Sequence, residues 1–256
     1  MMLHAASLAA LPGVRHAFFT RRGGVSHGVW ASLNVGLRSG DALQRVAENR
    51  ARAATALGQS GERLVTARQV HGSTTLVVTE PWDNLAAPEA DAIVTDRSGL
   101  VLGVLTADCG PVLLADPDAG VIGAAHDGWK GALGGIVESA VAAMAGLGAD
   151  PARIVAALGP CIAQPSYEVG PEFVARFAEA DGTSGAFFRP APGHVKALFD
   201  LKGYVASRLR RAGVERIEVL PHDTCARDDL FFSFRRTTIR GEERFGLQLS
   251  GIVLPA

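Results

Sequence analysis

Two apolar runs, Val112 to Ala115 and Val121 to Ala125, flank the segment Asp116-Pro117-Asp118-Ala119-Gly120. Turn-forming Pro, Asp and Gly between aliphatic runs specify a β-hairpin. Counted outward from a turn centre near residue 118, Cys109 lies nine residues before it and His126 eight after. The hairpin thus brings a thiol and an imidazole to the same open end, roughly opposite one another. Directly opposed residues have Cβ atoms about 4.5–5.5 Å apart. Such a pair can share one metal ion, or act as nucleophile and base.

A catalytic zinc site needs a third ligand, and His71 is the best placed, in Gln69-Val70-His71-Gly72-Ser73 at the end of an expected strand. One Cys and two His leave the fourth tetrahedral position open, the catalytic rather than the structural arrangement. Against this stands a plainer reading. Cys is among the most often buried residues and packs as a small hydrophobe, and a His beside Gly is commonly a loop residue. His4, His16, His27, His194 and His222 are assigned such ordinary roles, and Cys161 and Cys225 structural ones. Trp82, Trp129, Phe231 and Phe232 are expected mainly in the core.

The rest of the chain reads as one domain spanning 1–256, without repeats or a linker-like stretch. Strands are expected at 16–20, 64–70, 74–79, 92–95, 100–106, 155–158, 217–220 and 246–252, and helices at 41–57, 134–147, 171–180 and 200–212. Strands occur in adjacent groups as well as alternating with helices. This predicts an α+β fold, a single domain with mixed β-sheets packed by helices. A net charge of −1 removes the bulk electrostatic case for nucleic acid. No apolar run reaches the ~18 residues of a membrane span. Ala5 to Leu11 is short, lacks a basic start and runs into Pro12-Gly13, so no signal peptide is expected. Three cysteines are too few for a disulfide scaffold and read as reduced thiols, which points to the cytoplasm. No obligate protein partner is evident.

An ordered series of motifs adds to this reading. It comprises Thr20-Arg21-Arg22-Gly23-Gly24-Val25-Ser26, Ser32-Leu33-Asn34-Val35-Gly36, Gln69-Val70-His71-Gly72, Ala90-Asp91-Ala92, Thr106-Ala107-Asp108-Cys109-Gly110-Pro111, His126-Asp127-Gly128-Trp129-Lys130-Gly131, Gly159-Pro160-Cys161-Ile162, Tyr167-Glu168-Val169-Gly170 and Phe232-Ser233-Phe234-Arg235-Arg236. From about residue 16 to the end the chain resembles the laccase-domain family, formerly called multicopper polyphenol oxidases and now described as purine nucleoside phosphorylases. The resemblance implies a zinc ion, or copper, on the positions of His71, Cys109 and His126. It implies phosphorolysis of adenosine, inosine, guanosine and methylthioadenosine, with adenosine deaminase as a side activity. The substrates are then a purine nucleoside and phosphate. The chain departs from the family pattern at Asp127 and Lys130, where Ala and Arg are usual, and lysine lacks the guanidinium fork that grips phosphate bidentately.

Phosphorolysis needs an anion held close to the glycosidic bond. Arg21, beside the Gly23-Gly24 turn, Lys130 and Arg235 are the expected phosphate-binding residues, and Arg22 is expected on the solvated surface. Two alternatives compete for the same side chains. One is a copper-dependent phenol oxidase, although seven His without a His-X-His pair are few for a multicopper cluster. The other is a metal-free hydrolase with Cys109 as nucleophile and His126 as base. Asp108 and Asp127 adjoin two of the ligands and are expected to support them or the fold, since neighbours along a strand face opposite ways.

Overall fold

The expected hairpin forms, and it is the centre of a six-stranded sheet in the computed structural model, which describes residues 2–193 and 195–255. Numbered from the N-terminus, the strands of this sheet run in the order β13 (Arg216–Val219), β9 (Val155–Leu158), β7 (Gly110–Asp116), β8 (Val121–Asp127), β5 (Ala92–Thr95) and β4 (Thr75–Val77). The outer pairs β13–β9 and β5–β4 are parallel and the others antiparallel. A second mixed sheet has the order β1 (Met2–Leu3), β2 (Arg15–Phe19), β14 (Gln248–Val253), β6 (Val101–Thr106) and β3 (Leu64–Thr66). A small antiparallel sheet joins β10 (Glu168–Val169), β12 (Ala197–Phe199) and β11 (Phe188–Pro190). The helices are α1 (Ala6–Ala9), α2 (Leu43–Ala56), α3 (Trp129–Gly134), α4 (Ile136–Gly146), α5 (Pro171–Ala180), α6 (Leu201–Arg211) and α7 (Phe234–Arg240). The architecture is the mixed-sheet α+β class. No helix among the described residues is long and apolar enough to cross a membrane. His194 lies outside the described residues.

The apolar runs are continuous because the central strands are covered on both faces. Val112 and Leu114 of β7 pack with Ile136, Val137, Ala140 and Met144 of α4 and with Tyr204, Val205 and Leu209 of α6. Leu113 and Ala115 point the other way, onto Phe18, Leu102, Val104 and Ile252 of the second sheet. That sheet is covered in turn by Ala53, Ala54 and Leu57 of α2. The order of layers is α2, second sheet, six-stranded sheet, α4 with α6.

Three local differences from expectation have physical causes. The helix expected over 134–147 starts earlier, as α3, and is interrupted at Gly135, whose left-handed φ of 90° breaks the run of helical hydrogen bonds before α4 begins. The strand expected over 64–70 ends at Thr66, because the amides of residues 70–72 turn out of the sheet to bind the Asp91 carboxylate. The hairpin turn is centred half a residue later, with Asp116 opposite Val121. His126 therefore sits opposite Pro111, and Cys109 lies two residues further out, diagonal to His126 on the same face.

Candidate metal centre and its cavity

Beyond the open end of the hairpin, donor atoms of His71, Cys109 and His126 lie within 4.8 Å of one another. His126, the penultimate residue of β8, is buried; Cys109, just before β7, is half-buried; His71, on the loop between β3 and β4, is exposed. Asp91, just before β5, ties two of them together. Its side chain is fully buried, with Oδ1 2.8 Å from Nδ1 of His126 and accepting the His71 amide at 2.9 Å. Oδ2 accepts the amides of Val70 at 3.1 Å and Gly72 at 2.7 Å. Burial pulls the Asp91 carboxyl upward, but the hydrogen bonds from His126 and the amides outweigh it and leave it below the usual carboxylate range. These amide bonds hold His71 in a left-handed conformation, φ 60°, that a non-glycine residue rarely adopts.

The site fits a cation. With Nδ1 of His126 engaged by Asp91, its Nε2 is the free donor, the arrangement in which a carboxylate orients a metal-binding imidazole. Burial, reinforced by Asp108 and Asp127, pushes the Cys109 thiol up, so a thiolate there needs a positive partner. Burial and the neighbouring His126 lower the pKa of His71 and favour the neutral ring that coordinates metal. Gly128 leaves the space open. A Cβ on residue 128 would fall 2.9 Å from both Cys109 Sγ and His71 Nδ1, among the donor atoms themselves. A thiolate with two imidazoles suits Zn²⁺ or copper. Among the described residues no fourth His, Cys, Asp or Glu joins the set, so coordination positions remain for a ligand.

The two flanking carboxylates play different parts. Asp127 projects from β8 toward the helix layer, where both its oxygens are buried without a hydrogen-bond partner among the described residues. Burial and nearby Glu138 push its pKa well above the usual range against the pull of Arg208. Asp108, at φ 87°, accepts hydrogen bonds from Thr224 Oγ1 at 2.6 Å, Ser233 Oγ at 2.8 Å and the Arg235 amide at 2.6 Å. It thereby pins the start of α7 beside Cys109.

A cavity of about 400 Å³ opens from His71 and Cys109. Trp129, Ile162, Tyr167, Val169 and Phe173 give it an aromatic and aliphatic wall, and Phe234 and Arg235 line it as well, the Arg235 guanidinium lying over the Tyr167 ring. Its size falls in the range of small-molecule sites. Of the residues expected to hold phosphate, Arg235 lines this cavity, with Nη1 donating to the Glu168 carbonyl at 2.8 Å and no ion pair among the described residues. Lys130 is exposed beside the centre, its Nζ 5.6 Å from the Trp129 ring, and it too has no ion pair among the described residues. Arg21 is not brought there. It lines a separate cleft, where it is neutralised by Asp228 at 2.7 Å and packs 4.5 Å over Phe232. Arg22 is exposed, as expected, and paired with Asp229. Trp129 lines the cavity, whereas Phe231 is core. Sequence reasoning placed Asp91 and Tyr167 within the ordered motifs but gave them no role, and it did not single out Phe173. Besides that motif, Asp91 carried one local signal, a lone carboxylate immediately before an apolar strand.

Fold and site together define an α+β protein of two large sheets and one small one, with a three-donor centre open to a cavity. Residues 15–255 match the family model described as multi-copper polyphenol oxidoreductase laccase, and the chain belongs to that family. It is 44% identical over 237 residues, 92% of this chain and 87% of the other, to a protein of Deinococcus radiodurans named purine nucleoside phosphorylase. A Streptomyces coelicolor protein of the same name is 43% identical over 90% of this chain and 93% of its own. A prokaryotic protein named adenosine deaminase RL5 is 35% identical over 90% and 91%. The crystal structure of YlmD from Geobacillus stearothermophilus superposes with a TM-score of 0.88 at 33% identity, covering 98% of this chain and 94% of that one.

Proposed function

We propose that the protein is a purine nucleoside phosphorylase acting through one zinc ion held by His71, Cys109 and His126. The observation that carries this reading is the convergence of those donors within 4.8 Å at the wall of a cavity also lined by Arg235, whose guanidinium has no ion pair among the described residues. Relatives more than 40% identical bear the corresponding name. When bound, the cation supplies Lewis acidity and vacant coordination positions at that wall. Asp91 keeps the His126 ring oriented and its Nε2 free. Arg235 presents a guanidinium fork to phosphate, and Lys130 adds a point charge at the rim. Trp129 and Phe173, their ring centroids 5.0 Å apart and their planes tilted by 55°, provide an aromatic wall against which a purine packs. The activity resides in one domain spanning the chain, and three free cysteines suit a cytoplasmic location.

The substrates are adenosine, inosine, guanosine and methylthioadenosine. Deamination of adenosine is a side activity of the same site, supported by the relative of that name. Phenol oxidation by copper is the second reading, supported by the description of the family model, but the site gathers one thiol and two imidazoles only. A metal-free hydrolase is opposed by the raised Cys109 thiol, since a nucleophilic cysteine needs a lowered pKa.

The test incubates adenosine and inosine with protein of measured metal content, with and without phosphate. Free base and ribose 1-phosphate are expected only with phosphate, and Cys109→Ala should lose both metal and turnover. Full turnover by metal-free Cys109→Ala would overturn the reading. Activity that resists chelation but stops on thiol alkylation would favour the hydrolase.

A further inference from the structure

The chain has two tyrosines, and they are treated differently. Tyr204 is satisfied: its hydroxyl donates to Asp181 and accepts from Arg208. Tyr167 is held as firmly by its ring. The Arg235 guanidinium lies 5.5 Å over one face, and Phe173 and Phe199 contact it edge-on at 6.1 and 5.6 Å. Its backbone is fixed too, since its amide donates to the Gln164 carbonyl and its carbonyl accepts from Phe199. Yet the Tyr167 hydroxyl has no hydrogen-bond partner among the described residues. A half-buried phenol usually finds one. Tyr167 instead lines the cavity, between the apolar wall of Trp129 and Phe173 and the polar side of Cys109 and Arg235.

That position is the seam where a bound nucleoside would change from base to sugar. We propose that Tyr167 is a catalytic residue of the phosphorolysis, donating its phenolic proton to the leaving purine; this rests on the function proposed above. Burial and the nearby Cys109 raise the Tyr167 phenol above the ordinary value near 10, so it carries its proton at neutral pH. Cleavage of the C1′–N9 bond leaves its electron pair on the purine, and the Tyr167 proton passes to N7 of the base. A phosphate oxygen forms the new bond to C1′. The proton that hydrogen phosphate loses in forming ribose 1-phosphate returns to the phenolate, so charge and atoms balance over the turnover.

The test compares wild type with Tyr167→Phe, which keeps the ring and removes the hydroxyl, on inosine and on 7-methylguanosine. The methylated base already carries positive charge and leaves without a proton. General acid catalysis is worth about 10²–10⁴-fold, so kcat for inosine should fall at least about 100-fold. For 7-methylguanosine it should change less than about threefold, with metal content and melting temperature unchanged. Equal losses on the two nucleosides, or wild-type kcat on inosine, would overturn the assignment. If the phenylalanine variant misfolds, the wild type decides: a solvent deuterium isotope effect on single-turnover base release is expected for inosine and not for 7-methylguanosine, and equal effects on the two would overturn the assignment. A wild-type enzyme that releases no base from either nucleoside in phosphate refutes the phosphorylase reading and this assignment with it. A wild type active on both nucleosides isolates the role of Tyr167.

Discussion

Replacing Asp91 by Asn is a near-isosteric change that attacks the centre without touching a donor. The four hydrogen bonds on Asp91 divide evenly, with His126 and the His71 amide on Oδ1 and the Val70 and Gly72 amides on Oδ2. An asparagine offers one oxygen, so in either orientation its NH₂ confronts two N–H donors. With NH₂ toward residues 70 and 72, the amides that hold His71 at φ 60° lose their acceptor. With NH₂ toward His126, Nδ1 must accept, the ring proton moves to Nε2, and the metal-facing nitrogen is blocked. Loss of such an orienting partner weakens metal binding about 10–100-fold, or roughly 1.4–2.7 kcal/mol. Two orphaned donors at about 1–3 kcal/mol each would lower the melting temperature as well. Competition of the purified variant against a chromophoric zinc chelator measures the first effect, and thermal unfolding the second. Wild-type zinc affinity at a wild-type melting temperature would refute the role given to Asp91.

Other perturbations separate the parts. Gly128→Ala puts a methyl 2.9 Å from Cys109 Sγ and His71 Nδ1, so zinc binding should fall at least about tenfold while far-ultraviolet circular dichroism is unchanged; metal content after dialysis decides it. Arg235→Ala should raise the KM for phosphate far more than that for nucleoside, whereas Arg21→Ala should leave both within about twofold, the order-of-magnitude limit for a group outside the site. His16 tests the fold away from the centre. It is buried, Nε2 accepts the Ala5 amide at 2.9 Å, and burial with nearby His4 lowers its pKa to about 4 from 6.5. The unfolded chain therefore takes up a proton first. This contribution to stability is complete above pH 6.5 and is lost as pH falls toward 4, by at most about 1.4 kcal/mol per pH unit. Denaturant unfolding of His16→Gln should show a shallower acid limb than wild type, and parallel limbs would contradict the assignment.

What could be read from the sequence follows the range of the interactions. Cys109 and His126 share one hairpin whose turn residues set the register to within half a residue, so local chemistry sufficed to bring them together. His71 is on another strand connection, and only its place at the end of an apolar run and the family resemblance linked it to them. Asp91 was invisible as a site residue because its function is made by its partners. A carboxylate before a strand looks like any loop Asp until the amides of residues 70–72 fold onto it. The short helix α7 has no apolar periodicity to betray it, and its position comes from the capture of Ser233 and the Arg235 amide by Asp108. Arg21 misled for the converse reason. A basic residue next to two glycines suits an anion, but Asp228, 207 residues further on, neutralises it.

The most direct test is a crystal grown with zinc, measured on both sides of the zinc absorption edge. One anomalous peak bonded to Cys109 Sγ, His71 and the Nε2 of His126, with a remaining position facing Tyr167 and Arg235, is the predicted result. A peak elsewhere, or a centre closed by a fourth protein ligand, would contradict it.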